Sequence, residues 1–427
     1  MNNKSNDSSD QGMITRNQKT ILIISALDFW SMGKGKGAPS LWQTLKGYAD
    51  RGWKVYFITG NKDKNSVDEV HPNIRVIRFD ARWLKRLMCI KKIGFFARLL
   101  WWLWFQVVAF IKAQRIRANS QIDVVYGYEI IAVPVAKVLS ELWHVPVVSR
   151  FQGTILRVAW MNRRFWKIRA WEHILGLKVP VDLVIMANDG TQGDRVLQQL
   201  GVNTHRVRFW MNGLNWKLFE DMPEKQEARK ALNLSGAQIL LAISRLDTWK
   251  RVDRSIQALP EVVKDFPNTL LVIVGDGQER ERLEQLTYEL GVKSSVRFES
   301  AVPHSEVPKY LAAADIFISL YDWSNVGNPL LEAMRAGKCI VTLNNGDTGR
   351  FIKNGENGIL LEYEDLPKLS VIIKELLAHE ELRDKLGANA RKFAEENFWS
   401  WEERIEAEIR EISRLVEPRE KRRNGSE

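Results

Sequence analysis

Cysteine is nearly absent. Cys89 and Cys339 are the two in 427 residues, and they form no CxxC pair. Neither a disulfide framework nor a zinc site is suggested, and a reducing cytosol is the simplest compartment. The six histidines show no HExxH spacing, so a zinc hydrolase is unsupported. The first seventeen residues are polar and lack the apolar core of a secretory leader. Long hydrophobic runs are missing too: the longest without a charge, residues 99–111, has thirteen residues. At about 1.5 Å per residue it reaches roughly 20 Å, short of the roughly 30 Å of a bilayer core. No membrane-spanning helix is expected. No short repeat or low-complexity block occurs between the tails.

What is present is globular material with a basic bias. The chain is 45% hydrophobic and too long for one ordinary core, so two domains are expected. A net charge of +11 and a pI near 9.5 favour anionic partners: nucleic acid, acidic lipid or phosphate-bearing substrates. Apolar, β-rich runs at 20–25, 55–59, 75–79, 124–128, 145–150, 183–187 and 207–210 alternate with helical patterns. Such alternation argues for a parallel sheet covered on both faces. The second half repeats it, with strands expected at 239–243, 270–274, 296–298, 316–319, 340–342 and 359–361. The expected organisation is α/β: a tail 1–17, a first domain 18–212, a linker 213–226 and a second domain 227–397. A closing helix 398–416 and a frayed charged tail 417–427 follow. Two such halves imply a cleft, with ligands at the carboxyl ends of the strands.

The second half carries the chemistry. Arg245 follows the strand 239–243, and Lys250 lies in the same loop. Such a loop can bring both cations to one pair of phosphates, the guanidinium gripping two oxygens and the ammonium adding a point charge. Cations already in place stabilise a departing diphosphate more in the transition state than in the ground state. In isolation the pair would read as a solvated basic turn, but it has company. Glu332 opens the helical run 330–336, where a carboxylate can accept both hydroxyls of a ribose. Asn328, Leu330 and Leu331 precede or start that helix and would offer backbone N–H groups to phosphate. Alone, Glu332 would be read as complementing the helix dipole. Gly275-Asp276-Gly277 follows the strand 270–274, and Gly277 joins the candidate donor-binding set.

These residues together resemble the donor domain of the retaining family 4 glycosyltransferases. The string is Ser244-Arg245-Leu246, Lys250, Gly275-Asp276-Gly277, Ala314-Asp315, Asn328-Pro329-Leu330-Leu331-Glu332-Ala333-Met334, Gly337, and Asn354-Gly355 with Asn357-Gly358. The resemblance implies two Rossmann-like domains facing a central cleft, the GT-B architecture. It implies that Arg245 and Lys250 hold the donor diphosphate as the catalytic cations and that Glu332 holds the ribose. It also implies that the last helix returns to the first domain, and that no metal or other cofactor is needed; the chain has no D-x-D triplet. Two positions depart from the pattern. Ser324 stands eight before Glu332, where the family carries a second glutamate near the donor sugar, so Ser324, Asn325 or Asp322 are candidates for that contact. Gln152 stands where a histidine is usual; an amide hydrogen-bonds a sugar hydroxyl but shuttles no proton. Retention in this family is ascribed to front-face attack, the leaving phosphate taking the acceptor proton.

The first half offers less. Gly33, Gly35 and Gly37 follow the first strand as a phosphate loop would, placing Gly35 and Gly37 among the donor-binding candidates. The spacing is not that of a nicotinamide site, and a flexible solvated loop is an equal alternative. Glu129 ends the strand 124–128 and faces the same cleft, as an acceptor contact or as a surface carboxylate. Cys339 starts a buried strand and belongs to the core. Three stretches, 83–92, 95–117 and 157–171, mix tryptophan with lysine and arginine. Such faces suit an anionic membrane surface, although a helix apolar all round, as 95–111 is, can equally be buried against its sheet. Basic aromatic stripes also bind single-stranded nucleic acid, but the small diphosphate pocket argues against nucleic acid as partner.

The expected function is therefore a cytoplasmic transferase, peripheral on the inner face of the cell membrane. It would move a hexose from a nucleotide-sugar donor to a lipid-linked or saccharide acceptor in surface polysaccharide synthesis. Two rivals share the fold: a sugar-nucleotide epimerase, and a non-catalytic nucleotide-sugar-binding partner of another transferase.

Overall fold

A computed structural model describes residues 18–28, 39–61, 70–80, 94–156, 166–234 and 236–423. Gly33, Gly35, Gly37, Cys89 and the whole of the stretches 83–92 and 157–165 lie outside them. The first sheet contains β1 (Thr20–Ser25), β2 (Lys54–Thr59), β3 (Ile74–Arg78), β4 (Val124–Tyr128), β5 (Val147–Phe151), β6 (Leu183–Ala187) and β7 (Val207–Trp210). Its order is β3-β2-β1-β4-β5-β6-β7, every pair parallel. The second contains β8 (Gln238–Ile243), β9 (Thr269–Val274), β10 (Val296–Glu299), β11 (Ile316–Ser319), β12 (Cys339–Leu343) and β13 (Ile359–Leu361), in the order β10-β9-β8-β11-β12-β13, also parallel. Strands such as β1 and β6 are buried at every position, the mark of sheets covered on both faces. Each sheet reverses its winding between two central strands, β1 and β4 in the first and β8 and β11 in the second. Those switch points open crevices at the carboxyl edges.

The helix Gly94–Arg117 is 24 residues long, well beyond the charge-free run that marks it in sequence. By length and composition it is long and apolar enough to cross a membrane, contrary to expectation. Ala97, Trp101, Phe105, Ala109 and Ala113, one residue in four, are buried against the first sheet. Phe96, Leu100, Leu103, Trp104, Val107 and Ile111 are exposed on its other side.

The closing helix also exceeds expectation. It runs Trp401–Arg423, so the charged tail is helical through Arg423 rather than frayed. It crosses back to the first domain and packs on the helix Pro39–Asp50, where a Cβ on Gly47 would meet Ile405 Cγ1 at 2.7 Å. The two crossings between domains run side by side: Leu214 N–H donates to Trp399 O (2.9 Å) and Trp401 N–H to Leu214 O (3.1 Å). At the centre of the returning helix, Glu408 is fully buried. Its carboxylate accepts from Tyr126 Oη (2.8 Å), Tyr48 Oη (3.1 Å), Arg404 Nη1 (3.0 Å) and Arg150 Nη1 (3.3 Å).

Candidate functional site

The loop after β8 is pinned to the loop after β9. Leu246 N–H donates to Asp276 O (2.9 Å), and Glu279 N–H to Leu246 O (3.0 Å). The approach is so close that a Cβ on Gly275 (φ +140°) would lie 1.9 Å from Ser244 O, and one on Gly277 2.5 Å from Leu246 O. Gly277 N–H is already bonded to Asp276 Oδ1 (2.8 Å). Gly277, one of the expected donor-binding residues, thus lets the two loops touch.

That pinned loop presents both expected cations. Arg245 has a side chain 73% exposed, paired with Asp247 at 2.9 Å. Lys250 is different. Its Nζ lies 3.9 Å from the centroid of the Trp249 ring and 3.8 Å from that of Tyr321, with no hydrogen bond or ion pair among the described residues. Burial, then the Arg245 charge, bring its ammonium down to about 7, against the raising effect of Asp247 and Asp189. A cation so placed lacks an anion. Trp323 stacks on Trp249 (5.1 Å between centroids, 16° between planes) and is part of the same wall.

Glu332 sits in the helix Asn328–Arg335 and is buried. One carboxylate oxygen, Oε1, is 2.8 Å from His304 Nε2, and that hydrogen bond raises the imidazole above its usual range against its burial. His304 thus orients the acid from the turn His304–Glu306. The helix start is less open than expected: Leu330 and Leu331 N–H both donate to Gly327 O, at 3.0 and 3.2 Å. Those two amides close the first turn and are not free for phosphate. Pro329 has no N–H, which leaves the Asn328 amide.

The candidates for the missing glutamate are engaged elsewhere. Asn325 is fully buried; its Oδ1 accepts from Tyr321 N–H (3.0 Å) and its Nδ2 donates to Leu343 O and Asn345 Oδ1 (3.0 Å each). It holds the loop and has no atom left for a sugar. Asp322 pairs with Arg254 (2.7 Å) and Arg251 (3.3 Å). Ser324 Oγ donates across the cleft to Asp189 O (2.7 Å). The corresponding correction is that Ser324 joins the two domains.

The first domain closes the site with the ends of β4, β5 and β6. Glu129 adopts φ +68° and accepts from Gln152 N–H through Oε1 (2.7 Å). Burial, aided by the Asp189 charge, lifts its carboxyl to about 7 against that hydrogen bond. Gln152 Oε1 accepts from Ser40 Oγ (2.7 Å) and Asn212 Nδ2 (3.0 Å), while its buried Nε2 has no partner among the described residues. Asp189 was not singled out in sequence, although it follows β6 as Glu129 follows β4. Its Oδ1 accepts from Thr191 N–H (3.0 Å) and Thr191 Oγ1 (2.5 Å), and burial lifts it to about 6 against those bonds. Gly153 (φ +128°) makes room for it: a Cβ there would lie 1.9 Å from Asp189 Oδ2. The domains also meet at Gly190 and Gly346, with Asp347 N–H donating to Gly190 O (3.1 Å).

Two parallel sheets with facing carboxyl edges, and cations and a buried acid between them, define the GT-B class. The chain superposes on sucrose-phosphate synthase from Thermosynechococcus elongatus with a TM-score of 0.72 at 21% identity, covering 93% of this chain and 98% of that one. Residues 224–393 match the family model described as Glycosyl transferases group 1. Among curated relatives, spore coat protein SA of Bacillus subtilis (strain 168) is 30% identical over 188 residues, 42% of this chain and 50% of that protein. A GDP-mannose-dependent alpha-(1-6)-phosphatidylinositol monomannoside mannosyltransferase of Mycolicibacterium smegmatis is 29% identical over 191 residues, 43% and 50%. The chain spans about half the length of these curated relatives.

Proposed function

We propose that the chain is a retaining, metal-independent glycosyltransferase. It takes a hexose from a UDP- or GDP-sugar and passes it to a saccharide or lipid-linked acceptor in cell-surface polysaccharide assembly. The observation that carries this reading is Lys250, an ammonium enclosed by two rings with no acidic side chain paired to it among the described residues. A donor diphosphate supplies that anion, and exposed Arg245 swings onto the same phosphates. Glu332, fixed through Oε1 by His304, turns its other oxygen to the ribose. In the transfer the bond from the anomeric carbon to the β-phosphate oxygen breaks and the acceptor oxygen bonds to that carbon. The acceptor proton passes to the leaving phosphate. The charge growing on that phosphate meets cations already in position.

The acceptor side of the reading rests on two supports. The mycobacterial relative is by name a mannosyltransferase of a phosphatidylinositol mannoside. The helix Gly94–Arg117 also presents an apolar stripe ending in basic Arg115 and Arg117, suited to the inner, anionic face of a membrane. The test of the donor site is calorimetry with UDP, GDP and ADP on the wild type and on Glu332→Ala. One nucleotide binds selectively, and the substitution weakens it about tenfold or more, the loss of a charged hydrogen-bond acceptor. If none binds, or Glu332→Ala changes nothing, the donor site is wrong. Turnover of the donor without an acceptor, with formation of an epimer, would replace the transferase by an epimerase.

A further inference from the structure

The mechanism above uses the second domain's cations and leaves two carboxyl groups of the first domain without a task. Asp189 and Glu129 stand at one sheet edge, after β6 and β4, and the Asp189 charge acts on the Glu129 carboxyl. Neither pairs with lysine or arginine by direct contact. Asp189 Oδ2 and Glu129 Oε2 have no hydrogen-bond partner among the described residues. Between their strands Gln152 brings a third unmet group, the buried Nε2 donor. Its amide is locked by Ser40 and Asn212 at the oxygen end, so the NH2 end is fixed in place.

The location of this cluster relative to the donor is set by two contacts. Asp189 acts electrostatically on Lys250, the diphosphate anchor, and its carbonyl receives Ser324 Oγ from the second domain at 2.7 Å. Asp189 therefore lies at the first-domain wall next to the diphosphate site, where the group attached to the β-phosphate must lie. Its backing is built: Gly153 has no Cβ to block the carboxylate, and Glu129 holds a left-handed backbone conformation that non-glycine residues rarely adopt.

We propose that Asp189, Glu129 and Gln152 form the pocket for the transferred sugar, and that they select an uncharged hexose against a uronic acid. The inference rests on the transferase reading. Two carboxyl oxygens and one amide donor match a set of ring hydroxyls, each hydroxyl donating to a carboxylate or accepting from the amide. A uronate would bring a third carboxylate to a wall whose two buried acids already resist ionising, and like charges so placed repel. Lys250 and Arg245 are taken by the diphosphate, and Arg150, which also acts on Glu129, is held by Glu408.

Calorimetry tests this with UDP, UDP-glucose and UDP-glucuronate, and with GDP and GDP-mannose in parallel, on wild type, Asp189→Asn, Asp189→Ala and Glu129→Gln. The bare nucleotide serves as control for folding and for the diphosphate site. The expected result is that Asp189→Ala weakens the hexose nucleotide about tenfold and leaves the bare nucleotide within about twofold. Asp189→Asn, which keeps the shape and removes the charge, narrows the preference for glucose over glucuronate. The inference is overturned if the substitutions move nucleotide and nucleotide sugar equally, since Asp189 then acts only through Lys250. It is also overturned if both stay unchanged, or if wild type prefers the uronate. If no bare nucleotide binds wild type, the donor-site reading itself fails and this inference goes with it.

Discussion

Lys250 is where stability and function oppose each other. Its ammonium titrates near 7 in the free protein, because burial disfavours the charge and Arg245 adds to that, while Asp247 and Asp189 oppose it. An unfolded lysine titrates near about 10.4. The folded value is the lower one, so the folded state resists the charged form. The cost is full below about pH 7 and is relieved as pH rises towards about 10. Lys250→Met should therefore raise stability at pH 7, on the order of 1–3 kcal/mol, and the gain should shrink by pH 9.5. Urea melts of both proteins at the two pH values check this; an equal or growing gain at high pH contradicts it. A bound diphosphate reverses the preference. Binding above pH 7 then takes up a proton, so at pH 8 the binding enthalpy should differ between Tris and HEPES buffers. Lys250→Arg, always charged, should abolish that buffer dependence.

Elements were legible in proportion to how local their cause is. β1, β4, β6, β7, β11 and β13 begin and end where the apolar runs do, since a strand buried on both faces writes itself as consecutive β-branched and aliphatic residues. The positions of Arg245 and Lys250 in the loop after β8, and of Glu332 in the helix Asn328–Arg335, were legible because each follows a local apolar run. Their partners were not. His304 reaches Glu332 from 28 positions away, and Asp189 meets Ser324 from 135 away. The helix Trp401–Arg423 gives the clearest case, because its anchor spans 258 residues between Arg150 and Glu408. That anchor sets two buried guanidiniums against one carboxylate. Removing the acid leaves both cations buried without an anion, so Glu408→Ala should cost about 3–5 kcal/mol. The double change Arg404→Met with Glu408→Ala should not recover it fully, since Arg150 stays unpaired. Thermal melts of the single and double variants measure this, and a loss below about 1 kcal/mol would show that water reaches the site.

At the scale of the whole molecule, the cleft and the apolar stripe share one side of the first domain. The helix Gly94–Arg117 leads into β4 and so runs against the strand direction, as right-handed crossovers require. Its first turns, with Phe95, Phe96 and Leu100, therefore stand at the carboxyl edge that carries Glu129. Arg98 is tied there to Glu172 (3.1 Å), and Trp102 meets Trp171 edge-on, so the stripe is rigidly mounted. A helix seated with this stripe in the headgroup boundary would hold the cleft mouth at the lipid surface, within reach of a lipid-linked acceptor. Leu103→Glu with Val107→Glu breaks the stripe at exposed positions, where substitution changes stability by only about 0.5 kcal/mol. Sedimentation with vesicles of phosphatidylglycerol and phosphatidylcholine should carry wild type down and leave the variant in solution. Nucleotide binding should be the same for both, because the proposed diphosphate and ribose contacts, Arg245, Lys250 and Glu332, lie in the other domain. Added salt should weaken the wild-type attachment only in part, since apolar burial persists when charges are screened. Complete release at moderate salt would assign the attachment to the basic surface alone. If wild type stays in solution with anionic vesicles, the membrane assignment falls, and the stripe must then be covered by a protein partner.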